Sequence, residues 1–289
     1  MTRKPSRWRR FRQAAGGLLA ATVALTAMAA SAQTPRSVCT VAAFEPPARI
    51  NASSLRSLVW APFRRDEIGW EIYARQIQRE LRTTCAPDTS RFAQLLAGFQ
   101  KRFRMKATGQ MDADTFLRFK GVWQERRPFV MVNLNGYCPP APDPATLAIA
   151  APTESYGGKT IPLRPGTLNA YRAMVAAAKR EVPAIAKDTR SLTIFSGFRD
   201  PDADAARCLA DANCDGVVRA TCSPHRTGLA LDLYVGQAPG YGPDSSADPN
   251  RLYMTRTPTY GWLAANAHRF GFVNYPFEPW HWEWIGQAP

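Results

Sequence analysis

Histidine is scarce in this chain, and where it occurs it keeps company with carboxylates. All three histidines fall in the last 65 of 289 residues. Two stand in short segments rich in metal-binding side chains, Ser223-Pro224-His225-Arg226-Thr227-Gly228-Leu229-Ala230-Leu231-Asp232 and Glu278-Pro279-Trp280-His281. A catalytic zinc takes three protein ligands, commonly nitrogen or carboxylate oxygen, and leaves its fourth position to water; His225, Asp232 and His281 supply such a set. Two neutral imidazoles and one carboxylate leave the ion a net charge of +1, which lowers the pKa of bound water from about 15.7 toward about 7. Glu278 is then the natural general base, taking a proton from that water and later handing it to a leaving amine. Pro279 removes a backbone donor and disfavours helix at Glu278, so Glu278 is expected on a turn leading into a strand.

The elements that must position these groups are legible as alternation. From Leu229 to Val235 the leucines 229, 231 and 233 alternate with Ala230, Asp232 and Tyr234, the period-two pattern of a half-buried strand. In the same way Trp280, Trp282 and Trp284 alternate with His281, Glu283 and Ile285, which sets His281 opposite a face of three tryptophans. Two adjacent strands bring Asp232 and His281 together across 49 residues of sequence. Upstream, Leu168 to Ile185 reads as an amphipathic helix with Tyr171, Met174, Val175 and Ala178 on one face and Pro183 near its end. Ser191 to Phe195 reads as a strand delivering Arg199. The expected fold class is α+β, a helix packed on a small, mainly antiparallel sheet. His268 falls in the last turn of a short helix, Trp262 to Phe270, ended by Gly271, a place that suits an imidazolium and not a metal ligand.

With these residues in hand, the pattern Ser-x-His-x-x-Gly-x-Ala-x-Asp followed by Glu-x-Trp-His resembles the zinc D-alanyl-D-alanine carboxypeptidases of the VanY type, in the M15 peptidase group. Ser196-Gly197-Phe198-Arg199 is similar to the family's Ser-Gly-Tyr-Arg segment, with phenylalanine in place of tyrosine. The resemblance covers roughly residues 150–289, and two spaced motifs in the right order are far more specific than either alone. It implies a Hedgehog/D,D-peptidase-like fold acting on peptidoglycan stem peptides, with His225, Asp232 and His281 as zinc ligands and Glu278 as catalytic base. It also implies Arg199 as the substrate or transition-state arginine, Ser223 in the substrate cleft, and a motif role for Trp280. A planar guanidinium suits either task of Arg199, binding a terminal carboxylate or stabilising the oxyanion. Ser223 has a plainer reading as a cap before His225. Asp200, Asp202 and Asp204 alternate as calcium ligands do, but Ala205 and Asp211 stand where a calcium loop needs glycine and glutamate, so helix capping is the better account.

The N-terminus points to export, with a retained membrane anchor as the alternative. Residues 1–32 read as a signal peptide: six basic residues between Arg3 and Arg12, a small apolar stretch from Ala14 to Ala29, and Ala30-Ser31-Ala32 before Gln33. The whole chain carries 37 basic and 23 acidic residues, net +14. Without the six N-terminal cations 31 basic residues face 23 acidic ones, a charge of +8. In an exported protein, periplasmic or envelope-bound, that excess favours anionic envelope surfaces, while nucleic acid has neither a motif nor the compartment. After signal cleavage nothing marks an integral membrane protein. The six cysteines, Cys39, Cys85, Cys138, Cys208, Cys214 and Cys222, contain no C-x-x-C pair and argue for disulfides. Fifteen full pairings are possible; Cys208 with Cys214 is the cheapest local one, and Cys222 is expected in a disulfide that pins the loop carrying His225.

Proline punctuates the remainder. Residues 33–65 and 128–149 read as linkers. Between them, residues 66–127 read as a small helical domain, with Ile68, Ile72, Ile77 and Leu81, then Phe92 to Phe103, then Phe116, Phe119 and Trp123 at helical spacing. The stretch from Phe99 through Gly109 to Leu117 resembles small three-helix peptidoglycan-binding domains, while a packing domain without ligand fits the same pattern. Three functions follow for the chain: an exported zinc D,D-carboxypeptidase, a peptidoglycan endopeptidase of the same fold, or a noncatalytic wall-binding protein. Retention of every ligand and of the base favours the first two over the third.

Overall fold

The computed structural model describes residues 37–217 and 220–289; the signal-peptide reading of residues 1–32 lies outside them. The N-terminal half is helical. Helix α1 (Glu45–Ser54) carries Pro46 and Pro47 in its first turn, and α5 (Pro128–Leu134) begins at Pro128. Both stretches read as linkers thus hold a helix, because proline in the first turn forgoes an amide that has no intrahelical partner anyway. Strands β1 (Val59–Trp60) and β2 (Glu67–Ile68) form a two-stranded ribbon. Ile68, spaced as if helical, lies on β2 and is 70% exposed, so the first apolar run starts later than its periodicity suggested.

The other apolar runs fold as α2 (Ala74–Glu80), α3 (Ser90–Arg102) and α4 (Ala113–Glu125). The Thr89 side chain accepts from the Phe92 amide and that of Asp112 from the Thr115 amide, which caps α3 and α4. Ile77, Phe92, Leu96, Phe99, Phe116, Phe119 and Trp123 make their shared core.

The C-terminal half is the expected α+β layer. Ribbon β3 (Ala148–Ile149) and β4 (Pro162–Leu163) precedes α6 (Pro165–Glu181), and Pro183 restarts the chain as α7 (Pro183–Lys187). Then follow β5 (Ile194–Ser196), α8 (Pro201–Ala210), β6 (Ala230–Leu233), α9 (Asp248–Arg256), α10 (Pro258–Asn266), β7 (Phe272–Asn274) and β8 (His281–Trp284). The sheet order is β5-β6-β8-β7, antiparallel throughout. Leu231, Leu233, Trp280 and Trp282 pack with Tyr171, Met174 and Ala178 of α6 in one core. His268 sits in a short 3-10 turn after α10, ended by Gly271 in the left-handed region.

Strand β6 departs from its half-buried pattern: all four of its residues are buried. Its polar face is covered at Asp232 by His225, His281 and Arg199, and the helical half packs against the neighbouring segments. Tyr275 and Phe277 join the helical core. Gln76 of α2 donates to Asn274 of β7 (2.9 Å), and the fully buried Arg251 of α9 donates to the Tyr73 hydroxyl (2.6 Å) and pairs with Glu67 (3.2 Å). A buried guanidinium is tolerated only when paired and hydrogen-bonded, as it is here. Disulfides join Cys39–Cys85, Cys138–Cys222 and Cys208–Cys214. The local pair is the one expected, and Cys222 ties the loop before His225 to the segment after α5. Among the described residues no helix is long and apolar enough to cross a membrane.

Candidate active site

The sheet register assembles the site. Asp232 on β6 lies directly opposite His281 on β8, and Ser196 on β5 opposite Asp232. Directly opposed residues have Cβ atoms about 4.5–5.5 Å apart and share one face, so two positions 49 residues apart meet with their side chains aligned. His225 comes from a different device, a 3-10 turn over Pro224–Thr227. Ser223 starts that turn, its hydroxyl accepting from the His225 amide (3.3 Å). Gly228 ends it at φ 69°, in the left-handed region that glycine adopts without steric cost.

Hydrogen bonds set the tautomer of each imidazole. His225 Nδ1 lies 2.7 Å from the Gly197 carbonyl; a carbonyl only accepts, so Nδ1 carries the proton and Nε2 is left with its lone pair. His281 Nε2 lies 3.1 Å from Glu283 Oε1 and donates to it, which turns Nδ1 inward. His225 Nε2, Asp232 Oδ1 and His281 Nδ1 form a triangle with sides of 3.2, 3.3 and 3.0 Å. Donors bound tetrahedrally at 2.0–2.1 Å lie about 3.3 Å from one another. Two nitrogens and one oxygen, all buried, therefore fit a divalent ion in both spacing and chemistry.

The electrostatics agree. Burial alone would push Asp232 up, but the imidazoles and hydrogen bonds of His225 and His281 hold its carboxyl well below the usual range. Burial, then the Arg199 guanidinium, lower His225. Burial also works against His281, yet hydrogen bonds to Asp232 and Glu283 raise it to about 9. An ion entering the triangle thus displaces a proton, the usual coupling of metal binding to protonation. Glu283 is held at about 2 despite its burial, chiefly by the Arg127 cation.

Glu278 stands at the edge of the triangle, Oε2 4.0 Å from His281 Nδ1, its side chain 13% exposed. Burial pushes its carboxyl up to about 7, the range in which a carboxylate takes and returns a proton at neutral pH. Its amide donates to the Tyr275 carbonyl and its carbonyl accepts from the His281 amide, the turn into β8 expected from Pro279. Arg199, just past β5, donates to Ser196 Oγ (3.1 Å), Asp204 Oδ1 (3.1 Å) and Asp232 Oδ2 (3.4 Å). Asp200 caps α8 by accepting from the amides of Asp202 and Ala203.

A cavity of about 210 Å³ opens over the cluster, lined by Arg199, Ser223, His225, Glu278 and His281 together with Arg127, Val130 and Leu134 from the helical half. Arg199 and Glu278 also line a second cavity of about 120 Å³, with Lys159, Arg207, Asp244 and Trp280. The residues read from the sequence as ligands, base, arginine and cleft therefore lie at this site, Ser223 on one cavity and Trp280 on the other. Sequence reading missed Glu283 and Arg127. Glu283 left a signal, standing two residues after His281 and so on the same strand face; Arg127 left none.

The close packing beneath His225 yields a testable consequence. A Cβ at Gly197 would lie 2.7 Å from the Pro162 carbonyl oxygen and 2.8 Å from Ile161 Cγ2, both in buried or half-buried surroundings. Gly197→Ala is expected to lower stability by about 1–3 kcal/mol, as overpacking does, and to shift the carbonyl that holds His225. Chemical denaturation checks this, and a variant as stable as the parent would contradict it.

Comparison with known proteins agrees with this geometry. Residues 160–287 match the family model of VanY, D-alanyl-D-alanine carboxypeptidase. Residues 160–287 are thus similar to VanY-type peptidases, and the triangle, Glu278 and Arg199 all fall inside the matched stretch. A search of curated proteins finds no match.

Proposed function

We propose that this chain is an exported zinc D,D-carboxypeptidase that hydrolyses the terminal D-Ala-D-Ala bond of peptidoglycan stem peptides. The observation that carries the reading is the buried triangle of His225, Asp232 and His281 donors with Glu278 beside it, inside the stretch that matches the VanY model. Two imidazoles and one carboxylate suit zinc, which bound there would polarise the scissile carbonyl and acidify a water.

The chain's own residues do the rest. Glu278 takes a proton from the attacking water as its oxygen bonds to the carbonyl carbon. The C–N bond then breaks, and Glu278 returns that proton to the leaving amine. Arg199, fixed by Ser196 and Asp204, presents its guanidinium to the terminal carboxylate or to the oxyanion. The smaller cavity sets Lys159, Arg199 and Arg207 against Asp232, Asp244 and Glu278, and either task of the guanidinium fits it. Trp280 forms part of its wall, and Ser223 lines the larger cavity on the other side.

One observation favours a second reading, a peptidoglycan endopeptidase: Arg199 and Glu278 line cavities in common, so the cleft has room on both sides of them. Mass-spectrometric analysis of products from a D-Ala-D-Ala pentapeptide and from crosslinked muropeptides separates the two. Loss of one alanine from the pentapeptide supports the carboxypeptidase; cleavage confined to crosslinked material supports the endopeptidase. Binding to peptidoglycan without turnover would return the chain to the wall-binding reading.

A further inference from the structure

We propose that Arg127, from the helical half of the chain and outside the residues that match the VanY model, is a positioning residue for the metal ligand His281. The inference rests on the metal-centre part of the reading above and not on the substrate.

Arg127 sits between α4 and α5, immediately before Pro128, a placement that biases it toward the extended conformation it adopts. Its residue exposure is 5%. Nε donates to Glu283 Oε1 at 3.0 Å, and one terminal nitrogen meets the same oxygen. The other terminal nitrogen donates to Gln124 Oε1 (2.6 Å). Its guanidinium lies 4.4 Å from the centroid of the Tyr275 ring, and the Tyr275 amide donates to the His281 carbonyl (3.1 Å).

That same Glu283 oxygen accepts from His281 Nε2. Arg127 therefore fixes Glu283, Glu283 fixes the imidazole plane and its tautomer, and Nδ1 faces the triangle. Residues that hydrogen-bond a metal ligand in this way typically contribute 10- to 100-fold to metal affinity. Isolated from Arg127, Glu283 would be a buried carboxylate with only an imidazole for a partner, free to rotate away from Nε2. The helical half is on this account part of the metal centre, whatever else it binds.

The test is zinc affinity of the mature protein, read by competition with a chromophoric chelator, for Arg127→Gln, Glu283→Gln and the double variant, with apo-protein Tm measured in parallel. Arg126→Gln is the control, since Arg126 pairs with Glu80 at the surface, 45% exposed. The expected result is zinc binding weakened 10- to 100-fold in Arg127→Gln, unchanged in Arg126→Gln, and no weaker in the double variant than in Glu283→Gln alone. Arg127→Lys, which keeps the charge without the fork, is expected to fall between parent and Arg127→Gln, and it stands in should the glutamine variant not fold. Parental zinc affinity in Arg127→Gln, or losses that add in the double variant, would overturn the proposal. Because affinity is read without turnover, failure of the D-Ala-D-Ala assignment would leave this result interpretable.

Discussion

Glu278→Gln is expected to lower kcat by about 10²- to 10⁴-fold, the contribution of a positioned acid–base group, with zinc content unchanged. Glutamine matches the carboxylate in shape but cannot take up or return a proton. The three donors of the triangle do not include Glu278, so the ion should stay. The turn that holds it is made by backbone bonds to Tyr275 and His281, which the substitution leaves in place. Steady-state kinetics with metal analysis on the same preparation reads both quantities. Near-parental kcat would remove Glu278 from the chemistry, and loss of zinc would make it a ligand instead of a base.

Asp232→Asn is expected to weaken zinc binding by more than about 100-fold, beyond the range for residues that only orient a ligand, and to abolish turnover at stoichiometric metal. Asp232 is the one anion among the three donors. Its Oδ1 is shared by both imidazoles, and its Oδ2 accepts from Arg199. The amide removes the negative charge from a site that also holds Arg199. It leaves that guanidinium with Asp204 as its carboxylate partner beside the Ser196 hydroxyl, so a loss of apo stability should accompany the loss of metal. Calorimetric titration with zinc checks the first effect. Parental affinity would show that the carboxylate is not a ligand.

How much of this was legible beforehand follows from which interactions are local. Asp232 and His281 could be placed on facing strands because period-two alternation is written into each strand, and register then does the rest. Glu278 could be placed on a turn because Pro279 acts on its neighbour, and Asp200 could be assigned as a cap because capping spans three residues. Residues whose roles come from distant partners were not legible. Nothing near Arg127 in sequence announces Glu283, 156 residues away, and Cys138 has no local sign of Cys222. Burial of both faces of β6 was missed for the same reason: a strand's own pattern describes its core face but not what another segment lays over its polar one. Prolines misled where they start helices α1 and α5, since the residue marks a boundary without saying which side is helical.

The central claim is that an ion held by His225, Asp232 and His281 drives removal of a terminal D-alanine. Titrating zinc into chelated, mature protein while following alanine release from a D-Ala-D-Ala pentapeptide tests it most directly. The account predicts no release from the chelated protein, and release that rises with zinc and levels off at one ion per chain. Release indifferent to chelation, or none at saturating zinc, would contradict it.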